Sequence, residues 1–377
     1  MTVNSQRNVV IIGGGYGGIA AAKALDADFN VTLIEKRERF FHNIGALRAA
    51  VDAAWLPKLF IPYDKLLKRG KVQQGTAVKV SREVVTLSTG ETLGFDYLIL
   101  ATGSSYPFPA KMTSDNVAQA SADVRRVNTL IKEARSVLLI GAGPVGIEFA
   151  GEIASAYPNK RVTLTDPSSG LLRTFNPSLG KRITADLTGL GVQLLLGERL
   201  TRLPNRDDPT QFESLSMQSY TTEKGTSVEA DLYFFCFGAT PNTDFLKAGL
   251  GASLDHAGRI KLNPHLQVEG YPNIFAVGDM TNIAEAKLAS AARINGETVA
   301  ANIRRLAASH ADLKSHEPIK NPLVIVPVGP DHGAAQLPVG KNGLVLGAWA
   351  ATRIKGKSLL VNRYWKALNA NLVSQSP

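Results

Sequence analysis

The chain has one cysteine, Cys236, among 377 residues. That excludes an intramolecular disulfide, a Cys-cluster metal site and redox chemistry through a cysteine pair, and no metal is expected. Long hydrophobic runs are also missing. The stretch 137–147 is interrupted by Gly141-Ala142-Gly143-Pro144 and followed by Glu148, well short of the ~20 residues a spanning helix needs. Although the net charge is +10, no block of Lys and Arg reaches five residues, and no helix-turn-helix, zinc-finger or RNA-recognition pattern is present. The surface should attract anions, nucleotide phosphates among them, without a specific nucleic-acid partner. No basic-plus-apolar leader opens the sequence, and Thr2 stands where N-myristoylation would need a glycine. The expectation is a cytoplasmic protein whose membrane contact, if any, is peripheral.

Glycine is what the sequence has in excess: 34 residues, clustered in short motifs. Asn8–Ile12 is a Val/Ile-rich strand ended by Gly13-Gly14-Gly15-Tyr16-Gly17-Gly18. A run of helix-forming residues follows, then a second strand that ends at Glu35. Strand, tight turn, helix and acid-tipped strand form a unit suited to a dinucleotide: Gly13, Gly15 and Gly18 let backbone approach a pyrophosphate at a helix N-terminus. Glu35 is placed to accept from ribose hydroxyls, with a solvated strand-end carboxylate as the alternative.

The design recurs. Gly141, Gly143 and Gly146 lie between the strand Ser136–Ile140 and a helix through Ala156, and Asp166 ends the next strand. Gly13 and Gly141 are 128 residues apart, and the segment ending Ala101-Thr102-Gly103 is echoed by the one ending Phe237-Gly238, with the two glycines 135 apart. One period for two features points to two related domains. Alternating β-like sequence precedes each echo, at 74–93 and 214–229. Asp166 disfavours a 2′-phosphate, so NADH is expected over NADPH, with Arg161, Arg173 and Lys181 as neighbouring cations that could reverse the preference. Two dinucleotides in one chain imply hydride passing from nicotinamide to a flavin.

The expected fold class is α/β: two Rossmann-like dinucleotide-binding domains with β-meanders plus a small C-terminal α+β domain. Residues 1–110 and 239–317 are assigned to a discontinuous FAD-binding domain, because Tyr271-Pro272-Asn273-Ile274-Phe275-Ala276-Val277-Gly278-Asp279 reads as a strand ending in Gly-Asp that returns to the first domain. Residues 111–238 are assigned to the NAD(P)H-binding domain and 318–377 to a C-terminal interface domain. In the last, a hairpin is expected around Lys341-Asn342-Gly343 and a terminal amphipathic helix within 360–373. Val361, Tyr364, Trp365, Leu368, Leu372 and Val373 form its apolar face, and Arg353, Lys355 and Lys357 precede it. Such a helix either packs on its own domain or lies in a membrane interface.

The paired fingerprints, Ala101-Thr102-Gly103, Phe237-Gly238-Ala239-Thr240-Pro241-Asn242 and Val277-Gly278-Asp279 resemble the two-dinucleotide flavoproteins that include the pyridine nucleotide-disulfide oxidoreductases. Segments 41–49, 106–111 and 358–367 are similar to the ferroptosis-suppressor branch of the apoptosis-inducing-factor family. Those enzymes and the related type II NADH dehydrogenases pass electrons from NAD(P)H through FAD to quinones. The resemblance implies an FAD-dependent NAD(P)H:quinone oxidoreductase. Two alternatives stay open: an NADH-dependent ferredoxin or rubredoxin reductase, and a slow-turnover nucleotide-sensing or DNA-binding protein. Disulfide reductases carry a cysteine pair where this chain has residues 42–51 without cysteine, which excludes their chemistry. The oligomeric state is not legible.

The same resemblance supplies residue roles. Asp279, beside Gly278, is implied to hold the flavin ribityl chain, with a helix N-cap as the alternative. Lys36, Arg48, Val78, Ala101, Thr102 and Gly103 join the implied FAD contacts, Arg48 at the pyrophosphate. Lys287 is placed at the start of a helix over 285–308, either as a cation facing the reduced flavin or as a surface lysine paired with Glu285. Glu148 is implied to position the nicotinamide, with Glu152 one turn on and Gly238 at the NADH site. His42 and His332 could pass a proton to a quinone, and Trp365 is placed at that acceptor. Cys236 reads as a buried small hydrophobe.

Overall fold

The computed structural model describes residues 7–205 and 211–372. The buried, β-branched strand Asn8–Ile12 is flanked by Tyr97–Leu100 on one side and Asn30–Glu35 on the other, and Ile274–Ala276 and Lys71–Gln74 complete a parallel five-stranded sheet. Continuous apolar strands of this kind need cover on both faces. The helix Tyr16–Leu25 provides part of it and crosses the helix Ala289–Ala307 closely. A Cβ on Gly17 would lie 3.0 Å from the Ala292 carbonyl oxygen, and one on Gly296 would lie 2.5 Å from that of Gly17. The crossing brings the first glycine fingerprint beside Gly278 and Asp279.

The second sheet repeats the plan with four parallel strands in the order Gln193–Leu196, Arg161–Asp166, Ser136–Ile140, Leu232–Phe235. The two chain crossings between the sheets pair with each other, Ser104 opposite Pro241 and Ser105 opposite Thr240. The Ala101-Thr102-Gly103 and Thr240-Pro241-Asn242 motifs thereby meet: Thr102 Oγ1 donates to the Asn242 carbonyl at 2.7 Å, and Asn242 Nδ2 donates to that of Thr102 at 2.9 Å.

Two boundaries differ from expectation, and two helices were not foreseen. Gln74 ends the fifth parallel strand, so the meander is Ala77–Val80, Val84–Leu87 and Thr92–Gly94. The helix expected from 285 begins at Ala289, because Leu288 is extended and residues 281–287 fold as a loop held by Lys287 and Glu285. The helices Val117–Glu133 and Pro177–Gly189, not singled out in the sequence, are capped by the Asn116 and Asn176 side chains.

Residues 324–346 form an antiparallel sheet of Val324–Val328, His332–Leu337 and Leu344–Leu346. Val324, Val326, Val328 and Ala334 share a core with the second dinucleotide domain. A short helix, Ala348–Ala351, runs into one π-helical turn, Thr352–Gly356. Two successive leucines then take left-handed backbone, Leu359 at φ 47° and Leu360 at φ 60°, a conformation β-carbons resist. The terminal helix is only Val361–Ala367. Its apolar face does not look outward. Val361, Tyr364, Trp365 and Leu368 are buried in the core of the first domain, and Lys23 Nζ fastens the helix end by donating to the Ala367 carbonyl at 2.7 Å. The tail therefore spans both domains, and its burial removes that face from any membrane interface. Leu372 is 39% exposed, and Val373 lies outside the described residues. No helix among the described residues is long and apolar enough to cross a membrane.

Candidate active site

The two fingerprints are built alike down to single hydrogen bonds. Gly13 (φ +104°) and Gly141 (φ +108°) turn left-handed at the ends of their strands, where only glycine is unstrained. Gly13 N donates to the Ile34 carbonyl and Gly141 N to that of Thr165, each at 2.8 Å. A Cβ on Gly18 would collide with the Gly13 carbonyl oxygen, and one on Gly146 with that of Gly141. At Gly15 and Gly143 a Cβ would meet nothing within 4 Å. Each middle glycine therefore opens onto free space in front of a helix N-terminus, Tyr16–Leu25 or Pro144–Ala156, which is the cradle a pyrophosphate requires.

The acidic strand ends are duplicated too. Glu35 accepts from Gly14 N at 2.5 Å and from Arg37 N at 2.9 Å, and Asp166 accepts from Ala142 N and Ser168 N, both at 2.8 Å. Each carboxylate braces the residue after the first glycine and the residue two places beyond itself. Its remaining lone pairs stay available to ribose hydroxyls. A cavity of about 260 Å³ opens beside Glu35, lined by Arg37, Tyr63, Leu67, Val72 and Gln74 among others. Val78 does not line it and is 46% exposed in the meander, while Lys36 faces Asp115 at 3.0 Å. Arg161 begins the strand that Asp166 ends, about 16 Å away at the strand rise, which is too far to clamp a 2′-phosphate at that carboxylate. Lys224 does reach this corner. Its Nζ lies 3.8 Å from where a Cβ on Gly197 would stand, and Gly197 N donates to the Asp166 carbonyl at 2.9 Å.

Gly278 is left-handed at φ +76°, and its N–H donates to Asn295 Oδ1 at 3.2 Å. Asp279 follows in a single 3-10 turn, where its carboxylate accepts from Ser104 Oγ at 2.7 Å and Lys111 Nζ at 3.3 Å. It caps no helix. Lys287 is folded over the loop before its helix, donating to the carbonyls of Thr281 at 3.0 Å and Ile283 at 2.9 Å. Glu285 is not its partner, since that carboxylate accepts from buried His316 Nε2 at 3.0 Å. Burial lowers the Lys287 pKa, against the opposing pull of Glu285 and Asp279.

Three residues expected at separate positions, Glu148 at the nicotinamide, Arg48 at the FAD pyrophosphate and His42 at the quinone, converge on the tail. Glu148 accepts from Lys355 Nζ at 2.7 Å, and burial raises its pKa despite that cation. Arg48 departs from the pyrophosphate placement: its guanidinium is engaged in a two-pronged pair with Glu152 and also donates to the Gly356 carbonyl at 2.9 Å. His42 is buried, with Nε2–H donating to the Leu359 carbonyl at 2.7 Å and Nδ1 accepting from Tyr16 O–H at 3.2 Å. Desolvation pulls its pKa down to about 4, so the imidazole is neutral near neutral pH.

His332 and Trp365 are not brought together. Trp365 lies within the first domain's core and donates Nε1–H to the Lys58 carbonyl at 2.8 Å. His332 is exposed at the start of the strand His332–Leu337, just after Gly329, and Gly329 lies against Ser155, about 16 Å down the helix from Pro144. Cys236 is buried and its pKa pushed up to about 12 by desolvation. Its position mirrors Ala101, one under each fingerprint: Ala101 N donates to the Ile12 carbonyl and Cys236 N to that of Ile140. Sequence reasoning did not find Tyr16, Lys111 or Lys355 as site residues. Tyr16 carried a local signal, an aromatic inside a glycine fingerprint, and Lys111 ended a segment similar to the ferroptosis-suppressor branch.

The pyridine nucleotide-disulphide oxidoreductase family model matches residues 7–296. The chain belongs to this family. Apoptosis-inducing factor homolog B of Dictyostelium discoideum is 34% identical over 97% of this chain and 98% of that protein. Ferroptosis suppressor protein 1 of Homo sapiens is 33% identical over 96% and 95%. The sulfide:quinone oxidoreductase of Aquifex aeolicus shares the fold at TM-score 0.78 and 18% identity, covering 98% of this chain and 93% of that one. This family member is an NAD(P)H-dependent flavoprotein oxidoreductase with FAD and NADH as cofactors, and the open cradles at Gly15 and Gly143 fit both. Bound FAD supplies the two-electron chemistry between NADH and the acceptor.

Proposed function

We propose that the protein is an NADH:quinone oxidoreductase. The observation that carries this reading is the aromatic wall beside the first fingerprint. Tyr364 packs 4.7 Å from His42 and 4.8 Å from Tyr16 by ring centroids, with Phe40 6.0 Å from Tyr364. Phe40, His42 and Tyr364 are buried and Tyr16 is half-buried. They back the stretch 42–51, where related disulfide reductases hold their cysteines, with apolar rings and no thiol, which supports a flat, apolar acceptor over a disulfide. Quinone reduction by the enzymes this chain resembles supports the same reading.

Glu148, held by Lys355, orients the nicotinamide end of NADH. Asp279, Glu35 and the Gly13–Gly18 turn hold FAD. Lys287 keeps a cation by the flavin edge, where it offsets negative charge. Asp166 favours NADH over NADPH. His42, neutral and with both nitrogens engaged, fixes the aromatic wall rather than delivering a proton.

Steady-state NADH oxidation with a soluble short-chain quinone, run beside ferredoxin and beside a blank without acceptor, tests the reading. Turnover with quinone supports it. Turnover with ferredoxin alone would favour the iron–sulfur carrier, which the +10 net charge also suits. A cytoplasmic location with peripheral membrane contact matches a lipid-soluble acceptor, and flotation with anionic liposomes checks it.

A further inference from the structure

Arg48 joins three parts of the molecule. It sits on the helix Ala46–Val51 of the first domain, buried at 7% exposure. Its Nη2 donates to Glu152 Oε1 at 2.8 Å and to the Gly356 carbonyl at 2.9 Å, and its Nε donates to Glu152 Oε2. Its guanidinium lies 5.1 Å from the centre of the Trp55 ring. Glu152 stands one turn beyond Glu148 on the helix Pro144–Ala156, and Gly356 follows Lys355 in the π-helical turn. One planar fork therefore grips the helix that carries Glu148 and the turn that carries Lys355. Lysine, a point charge on a flexible stem, cannot make that double grip.

We propose that Arg48 is a positioning residue for NADH, setting the 352–356 turn on the second-domain helix so that Lys355 stays on Glu148. This rests on the role proposed for Glu148. A buried carboxylate and a carbonyl share one cation, so losing the fork frees both ends together. The π turn continues the one-turn helix Ala348–Ala351, but the left-handed Leu359 and Leu360 follow it, so no regular helix holds it from the C-terminal side.

The test uses the FAD-loaded full chain with Arg48→Lys, and with Arg48→Met combined with Glu152→Met, which removes both buried charges and avoids stranding one. Hydrogen exchange at amides 352–359, measured without NADH, should quicken in both variants. KM for NADH should rise about tenfold, the scale of losing a charged hydrogen bond, with FAD content unchanged. Adding Lys355→Met to either variant should cost little more. Wild-type exchange and KM in the double variant, or additive losses with Lys355→Met, would overturn the proposal. So would loss of FAD in Arg48→Lys, which would return Arg48 to the pyrophosphate. If NADH fails to reduce the wild-type flavin, the proposed function falls, and the exchange measurement still decides the place of Arg48.

Discussion

Lys355 donates to Glu148 across 2.7 Å although 207 residues separate them in the chain. The contact ties the tail of the protein to the first turns of the nucleotide-facing helix. Burial raises the pKa of Glu148, and Lys355 pulls it back. Lys355→Met removes a cause that lowers the pKa, so protonation of Glu148 should move further up. The acid limb of flavin reduction by NADH should shift to higher pH, with the rate lowered about tenfold near neutrality. Stopped-flow reduction against pH checks this, and an unmoved acid limb would detach Lys355 from the nicotinamide site.

Gly15 and Gly18 should separate binding from folding. Gly15 has φ −75° and open space before it, so Gly15→Ala should leave the apoprotein's thermal stability within about 0.5 kcal/mol while FAD binding weakens tenfold or more (about 1.4 kcal/mol). Gly18→Ala drives a methyl into the Gly13 carbonyl, so it should destabilise the apoprotein itself. Calorimetry and flavin titration of both variants would expose the opposite pattern.

His42 should make the protein acid-sensitive. Its pKa falls from 6.5 to about 4 on burial. The folded value is depressed, so the stability linked to it is whole above pH about 6.5 and is lost as pH falls to about 4, a change of about 3 kcal/mol. His42→Phe should flatten urea-unfolding stability over that window relative to wild type. Parallel curves would mean that another group sets the acid limb.

Asp166→Ser should narrow the NADH over NADPH ratio of kcat/KM, because a carboxylate braced by Ala142 and Ser168 meets a 2′-phosphate with like charge. Equal wild-type efficiency with both nucleotides would show that a cation such as Lys224 already compensates.

Both fingerprints and the acids at their strand ends were legible in the sequence, because each depends on residues within one βαβ unit, and the echo of that unit pointed to the two parallel sheets. What the tail does was not. The amphipathic spacing of Val361, Tyr364, Trp365 and Leu368 announces a face to be buried and leaves open whether core or lipid covers it. The structure buries that face in the first domain's core. Trp365→Ala should therefore cost about 3–5 kcal/mol of stability, and a raised KM for quinone would have to exceed that general loosening. Arg48 was read as a phosphate ligand from its charge and family position. Its actual partners, Glu152 and Gly356, lie 104 and 308 residues away, beyond any local pattern.

The most direct measurement is anaerobic mixing of the FAD-loaded protein with NADH, followed by a short-chain quinone. Flavin absorbance should bleach with one equivalent of NADH and return with one equivalent of quinone. Absorbance that does not bleach, or that returns with oxidised ferredoxin or rubredoxin and not with quinone, would contradict the account.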